Sequence, residues 1–332
     1  MAATAAPTTT MRAAVRYRYG GAGVVETAQV ERPSAPEDGV LVRVAAASVN
    51  RLDWHSLTGT PYVARPMFAG KRRPKSPLLG TDFAGTVEAV GSAVTDLEPG
   101  DEVYGGSDGA FAEYVAVGKG VALKPRSLSF EEAAAVPVAG ITALQGLRDH
   151  GRVQPGQKVL VNGASGGVGT FALQIAKALG ADVTAVCSTP NVEQARTLGA
   201  HRVIDYTRED FTRSGERYDV LFDIAGSRSW RACRRVVARD GIVVLVGGPK
   251  GPVLGPLGHI ARGKLGALLS SQSAVFVIAN LNRDDLGELR DLIERGAVRP
   301  VVERRYRLDE VADALRYAGE GHARGKVVIS LS

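Results

Sequence analysis

A glycine-rich turn between a short apolar run and an apolar-periodic segment constrains the fold of this chain more than any other feature. Residues 158–180 read KVLVNGASGGVGTFALQIAKALG. The apolar run is typical of a buried strand, and Phe171, Ile175 and Leu179 repeat at helical spacing. Glycine has no Cβ atom, so the backbone can turn sharply and a diphosphate can lie against the amides at the helix N-terminus. The segment therefore predicts a strand, a phosphate-binding turn and a helix.

The predicted diphosphate-binding residues are those of the turn and of the start of the helix. They are Gly163, Ser165, Gly166, Gly167, Val168 and Gly169. A glycine turn alone is a weak signal, because a turn without any ligand has the same pattern. The surrounding sequence has to decide between the two interpretations.

Strands and helices alternate on both sides of this turn. Five strands are predicted, at Lys158–Asn162, Asp182–Cys187, Arg202–Tyr206, Tyr218–Ile224 and Ile242–Val246, with helices around Asn191–Leu198 and Arg228–Ala238. Such alternation builds a doubly wound parallel sheet, the α/β architecture of nucleotide-binding domains. Nucleotide binding is therefore the favoured interpretation.

Length and composition bound the remaining possibilities. A chain of 332 residues is too long for one ordinary core, which favours two domains. No apolar run approaches the ~18 residues of a membrane span, so no integral membrane association is expected. Only Cys187 and Cys233 are present, which excludes a disulfide framework and favours a reducing, cytoplasmic location. Residues 1–10 lack the features of a signal peptide and are predicted to be a disordered extension.

The charge balance is mildly basic. Lysine and arginine total 41 against 35 acidic residues, a formal net charge of +6. The densest basic cluster, Lys71–Lys75, has no interleaved aromatic residues, so a solvated loop is favoured over nucleic-acid binding. No nucleic-acid partner is predicted.

The two ends of the chain differ from the middle in their predicted pattern of strands and helices. Short β-rich pieces occur at Arg12–Arg18, Val40–Ala46, Gly85–Val90, Glu102–Tyr104 and Ala112–Val117, separated by turn signals. Ser129, with Glu132 three residues later, predicts a helix start that opens the α/β region. The tail predicts helices at Asp284–Arg295 and Leu308–Ala318 and a strand at Lys326–Leu331, which can fold back onto the first domain.

Several motifs, taken in order, resemble one family. They are Asn50-Arg51-Leu52-Asp53, Gly80-Thr81-Asp82-Phe83-Ala84-Gly85, Pro99-Gly100-Asp101-Glu102-Val103, Ala139-Gly140-Ile141-Thr142-Ala143 and Gly325-Lys326-Val327-Val328. Together with the glycine turn they are similar to the medium-chain dehydrogenase/reductases, in the zinc-independent quinone oxidoreductase (zeta-crystallin-like) branch. The resemblance implies a GroES-like β-rich catalytic domain at 11–128 and 280–332 with an inserted Rossmann domain at 129–279. It also implies a homodimer in which the strand near Ala274–Ala279 pairs with its copy.

The chain lacks the ligands of the zinc-dependent members of that superfamily. By resemblance, Asn50 stands where a ligand cysteine is expected, and no cysteine precedes Cys187. The five histidines are scattered without paired spacing, so no metal site is predicted. Without a Lewis acid, quinones and α,β-unsaturated carbonyl compounds are the natural hydride acceptors, because conjugation already spreads the developing charge onto oxygen.

The catalytic candidates are Asn50, Asp53 and Tyr62. By resemblance, Asn50 and Asp53 face the nicotinamide, and Asp53 is alternatively a helix cap. Tyr62 follows a Gly-Thr-Pro turn and can offer a phenol as proton donor, or can be a packed loop residue. The resemblance also assigns Thr142 to the nicotinamide ribose or phosphate; otherwise it is an ordinary helix residue.

The residues after the second predicted strand favour NADPH. In these folds an acidic residue about 20 positions after the first glycine binds the ribose 2′-hydroxyl and repels a 2′-phosphate. Counting from Gly163 reaches Ser188 and Thr189, two hydroxyls and no acid, and by resemblance Tyr206 reaches the same phosphate. A basic residue common here in relatives is replaced by Pro190, and Arg196 on the next helix is a weak substitute.

Other predicted cofactor contacts follow from the sheet topology, in which ligands bind at the carboxyl ends of the strands. They are Ala225, Gly247, Ile278, Ala279, Asn280 and Lys326, the last binding a phosphate or closing the cleft. The loop Pro249–Leu269 is a candidate lid. The favoured function is NADPH-dependent reduction of a quinone or enone. The alternatives are a pathway-specific enone or enoyl reductase and a non-catalytic NADPH-binding protein.

Overall fold

The computed structural model describes residues 9–65, 70, 72–248, 255–267, 270–321 and 323–331. The strands are β1 (Thr10–Val15), β2 (Glu26–Glu31), β3 (Val40–Val49), β4 (Asp82–Val90), β5 (Glu102–Gly106), β6 (Tyr114–Val117), β7 (Val121–Leu123), β8 (Lys158–Asn162), β9 (Asp182–Cys187), β10 (Arg202–Asp205), β11 (Tyr218–Asp223), β12 (Val237–Leu245), β13 (Ser273–Phe276), β14 (Val302–Arg307) and β15 (Lys326–Ser330). The helices are α1 (Arg51–Thr58), α2 (Phe130–Ala134), α3 (Pro137–Gln145), α4 (Gly167–Ala178), α5 (Val192–Thr197), α6 (Trp230–Cys233), α7 (Gly255–Ala267), α8 (Arg283–Glu294) and α9 (Val311–Glu320).

The middle of the chain forms a six-stranded sheet in the order β10-β9-β8-β11-β12-β13. Every neighbouring pair is parallel, so helices cover both faces and the strands are almost entirely apolar. The strand order reverses between β8 and β11, and ligands bind at the carboxyl edge beside such a switch point. The glycine turn after β8 lies there, and the predicted doubly wound Rossmann sheet is confirmed.

The ends of the chain share a second, seven-stranded sheet. Its order is β14-β15-β3-β4-β5-β7, and β6 pairs with β3. Strand β15 runs antiparallel to β3, with Val328 opposite Ser48, so the tail folds back onto the first domain as expected. The boundaries at 128/129 and 279/280 stay a prediction. One buried apolar cluster contains Ala84 and Tyr104 of this sheet together with Ile141 and Leu289 of neighbouring helices.

Two predicted elements differ from the structure. The helix predicted at Arg228–Ala238 is wrong beyond Cys233, because Val236 and Val237 are buried and β12 already begins at Val237. β-Branched side chains suit a buried strand, which is what these two valines form. The disordered extension predicted at residues 1–10 is wrong at its last two residues, because the Thr9 carbonyl oxygen accepts from the Arg32 amide at 2.9 Å and Thr10 pairs with Glu31. Residues 1–8 lie outside the described residues.

The candidate lid is in part a crossover helix. Residues 255–267 form α7 between β12 and β13, while residues 249–254 and 268–269 lie outside the described residues. Helix α7 packs closely on Trp230, since a Cβ atom added at Gly266 would lie 2.2 Å from its Cδ1. A lid role for this segment stays a prediction.

Candidate active site

The glycine turn leaves open space at the N-terminus of α4. The residues that border this space, Gly163–Gly169, are called the cradle. Gly163 has φ +91°, and a Cβ atom added at Gly169 would lie 2.2 Å from the Gly163 carbonyl oxygen, so the helix packs directly on the turn. A Cβ atom at Gly166, the N-cap, would have no neighbour nearer than 3.8 Å. The first amides of a helix have no partner within it. Open space beside such amides fits a diphosphate.

The ends of β11 and β12 close against this turn. The Asp223 carboxylate accepts hydrogen bonds from Asn162 Nδ2 at 2.7 Å and from the Gly226 amide at 2.9 Å. A Cβ atom at Gly247 would lie 2.1 Å from the Ile224 carbonyl oxygen, so the two strand ends touch. Ala225 and Gly247 therefore lie at the predicted edge of the sheet. Asp223 was not predicted, because its role depends on neighbours distant in sequence.

The structure brings together the residues predicted for the 2′-phosphate. The Tyr206 amide donates to the Cys187 carbonyl oxygen at 3.1 Å, which places Tyr206 beside Ser188. Tyr206 is 54% exposed. Thr189, however, donates its hydroxyl proton to Asp205 Oδ2 at 2.5 Å, and Arg208 lies 3.5 Å from the same oxygen.

Asp205 is an acidic residue close to the predicted 2′-phosphate position. Counting about 20 positions from Gly163 could not identify it, because it lies on the neighbouring strand β10. Hydrogen bonds from Thr189 and Thr207 hold the pKa of Asp205 below its ordinary value. Arg196, considered as a phosphate ligand, pairs instead with Glu193. The contacts of Ser188, Thr189 and Tyr206 with a cofactor stay predictions.

Asn50, Asp82 and Lys326 form one buried network in the other domain. Lys326 Nζ donates to Asn50 Oδ1 at 2.6 Å and to Asp82 Oδ2 at 3.2 Å, and Asn50 Nδ2 donates to Asp82 Oδ2 at 2.8 Å. An ammonium group only donates and a carboxylate only accepts, so the orientation of the Asn50 amide is determined.

Asp82 is the centre of that network and was not predicted as a site residue. It is fully buried and also accepts from Ser48 Oγ at 3.2 Å and from the Val138 amide at 3.0 Å. Its carboxylate therefore joins β3, β4 and β15 to the start of α3. The signal was present in the motif Gly80-Thr81-Asp82, which served only as a family mark.

Lys326 connects this network to the cradle. Its side chain is 2% exposed, and a Cβ atom added at Gly167 would lie 3.0 Å from Lys326 Cδ. The methylene chain thus passes against the first residue of α4 while the ammonium group reaches Asn50. Through this contact the predicted diphosphate-binding residues of the glycine turn lie next to Asn50, a predicted catalytic residue.

Asp53 contacts Asn50 at the start of α1, where Asn50 is the N-cap and Asp53 is the third helical residue. Its carboxylate accepts from the Asn50 amide at 2.7 Å and from Thr81 Oγ1 at 3.0 Å, so it caps α1. Burial, reinforced by the charge of Asp82, raises the pKa of Asp53 to about 7, although the two hydrogen bonds and Lys326 oppose the shift.

The remaining predicted contacts are placed less closely. Among the hydrogen bonds of the described residues, none joins Tyr62 to Asn50 or Asp53; its ring is 48% exposed and lies 4.5 Å from the Arg65 guanidinium carbon. Thr142 is buried on α3 and donates to the Val138 carbonyl oxygen at 2.6 Å. Roles for Tyr62 and Thr142 stay predictions.

One side chain holds the segment after β13 by two hydrogen bonds. Gln145 donates to the Asn280 carbonyl oxygen at 2.8 Å and accepts from its amide at 3.0 Å. Ala279 is half-buried and Ile278 is 68% exposed. Ile278 follows the edge strand β13, and its exposed side chain is available to an apolar ligand.

Metal and membrane features were sought in the described part of the chain. No group of three His, Cys, Asp or Glu side chains there could hold a metal ion. Both cysteines are buried thiols, and burial raises the pKa of Cys187 to about 11. No helix in the same residues combines the length and apolar composition that crossing a bilayer requires.

Two family models match this chain, one in its first half and one in its second half. Residues 36–126 match the alcohol dehydrogenase GroES-like domain, and residues 198–329 match the zinc-binding dehydrogenase model. A 2-methylene-furan-3-one reductase of Solanum lycopersicum is 36% identical over 327 residues, covering 94% of this chain and 76% of the relative. A chloroplastic NADPH-dependent alkenal/one oxidoreductase of Arabidopsis thaliana is 35% identical over 335 residues, covering 96% and 79%.

Solved structures agree over nearly the full length. The quinone oxidoreductase from Coxiella burnetii has a TM-score of 0.87 and 30% identity, covering 97% of this chain and 100% of that one. The Escherichia coli quinone oxidoreductase complexed with NADPH has a TM-score of 0.81 and 26% identity, covering 96% and 100%.

Proposed function

This chain belongs to the medium-chain dehydrogenase/reductase superfamily, in its quinone oxidoreductase-like branch, and from that premise we propose that it is an NADPH-dependent enzyme that reduces a quinone or an α,β-unsaturated carbonyl compound. One observation carries the proposal. Lys326 packs against Gly167 of the cradle and donates to Asn50. A buried polar network therefore lies directly beside the residues that would hold the diphosphate of a dinucleotide.

The cofactor-binding residues run along the carboxyl edge of the six-stranded sheet. The amides of Gly166–Gly169 would hold the diphosphate, with Ser188 and Tyr206 at the 2′-phosphate end. Thr142 and the segment 278–280 would border the nicotinamide. When bound, the reduced nicotinamide supplies a hydride.

Asn50 is assigned the role of hydrogen-bond donor to the substrate oxygen. One N–H of its Nδ2 is used by Asp82, which leaves the second for an oxygen that gains negative charge. Lys326 and Asp82 hold the amide in one orientation, so it stabilises the developing charge without reorganising. A quinone or an enone places that charge on oxygen as soon as its conjugated carbon receives the hydride.

Charge stabilisation is assigned to Asn50 together with the neighbouring Lys326 ammonium group, which donates to Asn50 Oδ1.

Assembly and location are further parts of the proposal. β13 pairs only with β12 in the described chain, so its other edge is available to a second copy, which supports a homodimer. Two buried free thiols, Cys187 and Cys233, support a reducing compartment such as the cytoplasm. Fractionation of the native cell tests the location.

A screen of acceptors tests the function. Oxidation of NADPH is followed at 340 nm with simple quinones, 2-alkenals and cyclic enones, and separately with NADH. Turnover of several simple acceptors supports the proposal, and turnover of one complex enone alone supports a pathway-specific reductase. Tight NADPH binding without any turnover would leave a binding protein. Greater thermal protection by NADPH than by NADH is expected; equal protection would contradict the roles of Ser188 and Tyr206.

A further inference from the structure

Thr81 and Asp53 form a short hydrogen-bonded chain that leads out of the protein interior. Thr81 Oγ1 donates to Asp53 Oδ1 at 3.0 Å, while the other carboxylate oxygen is held by the Asn50 amide at 2.7 Å. Asp53 is 2% exposed, and Thr81 is half-buried. The hydroxyl therefore lies between a buried carboxyl group and the more accessible side of the site.

Thr81 lies next to the buried network of Asn50, Asp82 and Lys326. Thr81 immediately precedes Asp82, which binds both Asn50 and Lys326. A Cβ atom added at Gly106 would lie 3.5 Å from the Thr81 carbonyl oxygen and 2.8 Å from Leu281 Cδ1. Thr81 is thus adjacent in the chain to the Asn50 network, and its carbonyl group lies near the segment that follows β13.

Asp53 can hold a proton at neutral pH. Two charged groups face it from neighbouring strands, Asp82 on β4 and Lys326 on β15, and Arg16 interacts with it at longer range. Burial is the largest cause of its raised pKa of about 7. The ionised Asp53 accepts from the Thr81 hydroxyl. A protonated Asp53 reverses this hydrogen bond, because its own O–H then donates to Thr81 Oγ1 and the Thr81 proton is free for another acceptor. A carboxyl group that is part-protonated near pH 7 matches the requirement for a general acid.

We propose that Thr81 is a catalytic residue, whose hydroxyl delivers a proton to the α-carbon of an enone and is reprotonated by Asp53. The inference rests on the proposed function. Once the β-carbon has received hydride, the electron pair of the former double bond resides in the enolate. The enolate α-carbon takes the Thr81 proton and the carbonyl re-forms, while Thr81 Oγ takes the proton of Asp53. Asp53 is left as a carboxylate and regains a proton from solvent.

The stereochemistry of protonation tests this relay. An enone with a methyl group on its α-carbon becomes chiral there on reduction, and chiral gas chromatography at short times gives the enantiomeric excess. Pure product enantiomers incubated alone correct for exchange with solvent. The wild-type enzyme is expected to give one enantiomer in excess, because a fixed hydroxyl protonates one face.

Variants then assign the effect to the relay. Thr81→Val and Asp53→Asn are each expected to lower the excess at least fivefold, while Thr81→Ser restores it. Thr86→Val, which changes a half-buried threonine on the strand that follows Thr81, is the matched control and keeps the wild-type excess. Thermal unfolding followed by circular dichroism shows whether Thr81→Val is folded.

Each remaining outcome overturns a different statement. A racemic product from the wild type, or an unchanged excess in Thr81→Val, rejects the relay and leaves the proposed function intact. If Thr81→Val does not fold, an unchanged excess in Asp53→Asn rejects it equally. No turnover of any enone or quinone by the wild type rejects the proposed function itself.

Discussion

Lys326 Nζ and Asn50 Oδ1 lie 2.6 Å apart although 276 residues separate them in the chain. The bond joins the last strand to the N-cap of the first helix. It exists because β15 pairs with β3 and thereby carries Lys326 to the residue that follows β3. Closing the second domain with the chain's own tail is therefore what assembles the polar end of the site.

Replacing Asn50 tests the assigned hydrogen-bond donor. Asn50→Leu retains the volume but removes the N–H group, and kcat is expected to fall about 10²-fold, the cost of losing one donor to a developing oxyanion. Ser48→Ala is the control, because Ser48 donates to the same Asp82 oxygen without being assigned to the substrate. A loss in Asn50→Leu no larger than that in Ser48→Ala would show that Asn50 is only structural.

Replacing Lys326 tests the buried ion pair. Lys326→Met leaves the fully buried Asp82 carboxylate without its counter-charge, so the free energy of unfolding in urea is expected to fall by about 3–5 kcal/mol. Adding Asp82→Asn to Lys326→Met should restore part of it. Lys158→Met, which removes a half-exposed lysine paired with Glu216, should cost under about 1 kcal/mol. Equal losses in the two single variants would contradict a stabilising pair.

Asp53 is expected to make stability depend on pH. The folded chain keeps this proton until about pH 7, whereas the ordinary pKa is 3.8. The folded state therefore binds more protons between these values, and the free energy of unfolding falls as pH rises through that window. Relative to Asp53→Asn, the wild type should lose roughly 2–4 kcal/mol from pH 4 to pH 8 in urea unfolding. Parallel curves for the two proteins would show that Asp53 titrates normally.

Two glycines of the turn separate folding from cofactor binding. Gly166→Ala adds a methyl group to open space, so the melting temperature should hold while NADPH binds at least tenfold more weakly by titration calorimetry. Gly169→Ala places its methyl group 2.2 Å from the Gly163 carbonyl oxygen and should lower the melting temperature as well. Unchanged NADPH affinity in Gly166→Ala would place the diphosphate elsewhere.

The free edge of β13 is expected to form the dimer. Val275→Lys puts a charge on this edge strand and should shift the protein from dimer to monomer in sedimentation experiments. Val203→Lys, a half-buried valine on the opposite edge strand β10, is the control and should remain dimeric. A monomeric wild type, or an unaffected Val275→Lys dimer, would reject the assignment.

Local sequence sufficed where one segment contains both the pattern and its cause. The turn at Gly163–Gly169 needs residues without Cβ atoms, and the alternation of strands and helices around it follows from the spacing of apolar side chains. The fold class and the cradle could therefore be predicted. The helix prediction failed beyond Cys233, because Val236 and Val237 are buried and the strand β12 begins at Val237, which depends on the neighbouring strands of the sheet.

Contacts between distant segments could not be predicted from the residues alone. Asp82 gains its role only when β4, β15 and α3 meet around its carboxylate, and Asp205 reaches Thr189 only because β10 pairs with β9. The altered pKa of Asp53 likewise depends on burial under Asn50. The sequence by itself determined the strand, glycine turn and helix to which dinucleotide binding is assigned. The tertiary structure decided which polar groups lose water and meet, since hydrogen bonds and desolvation depend on distances in space.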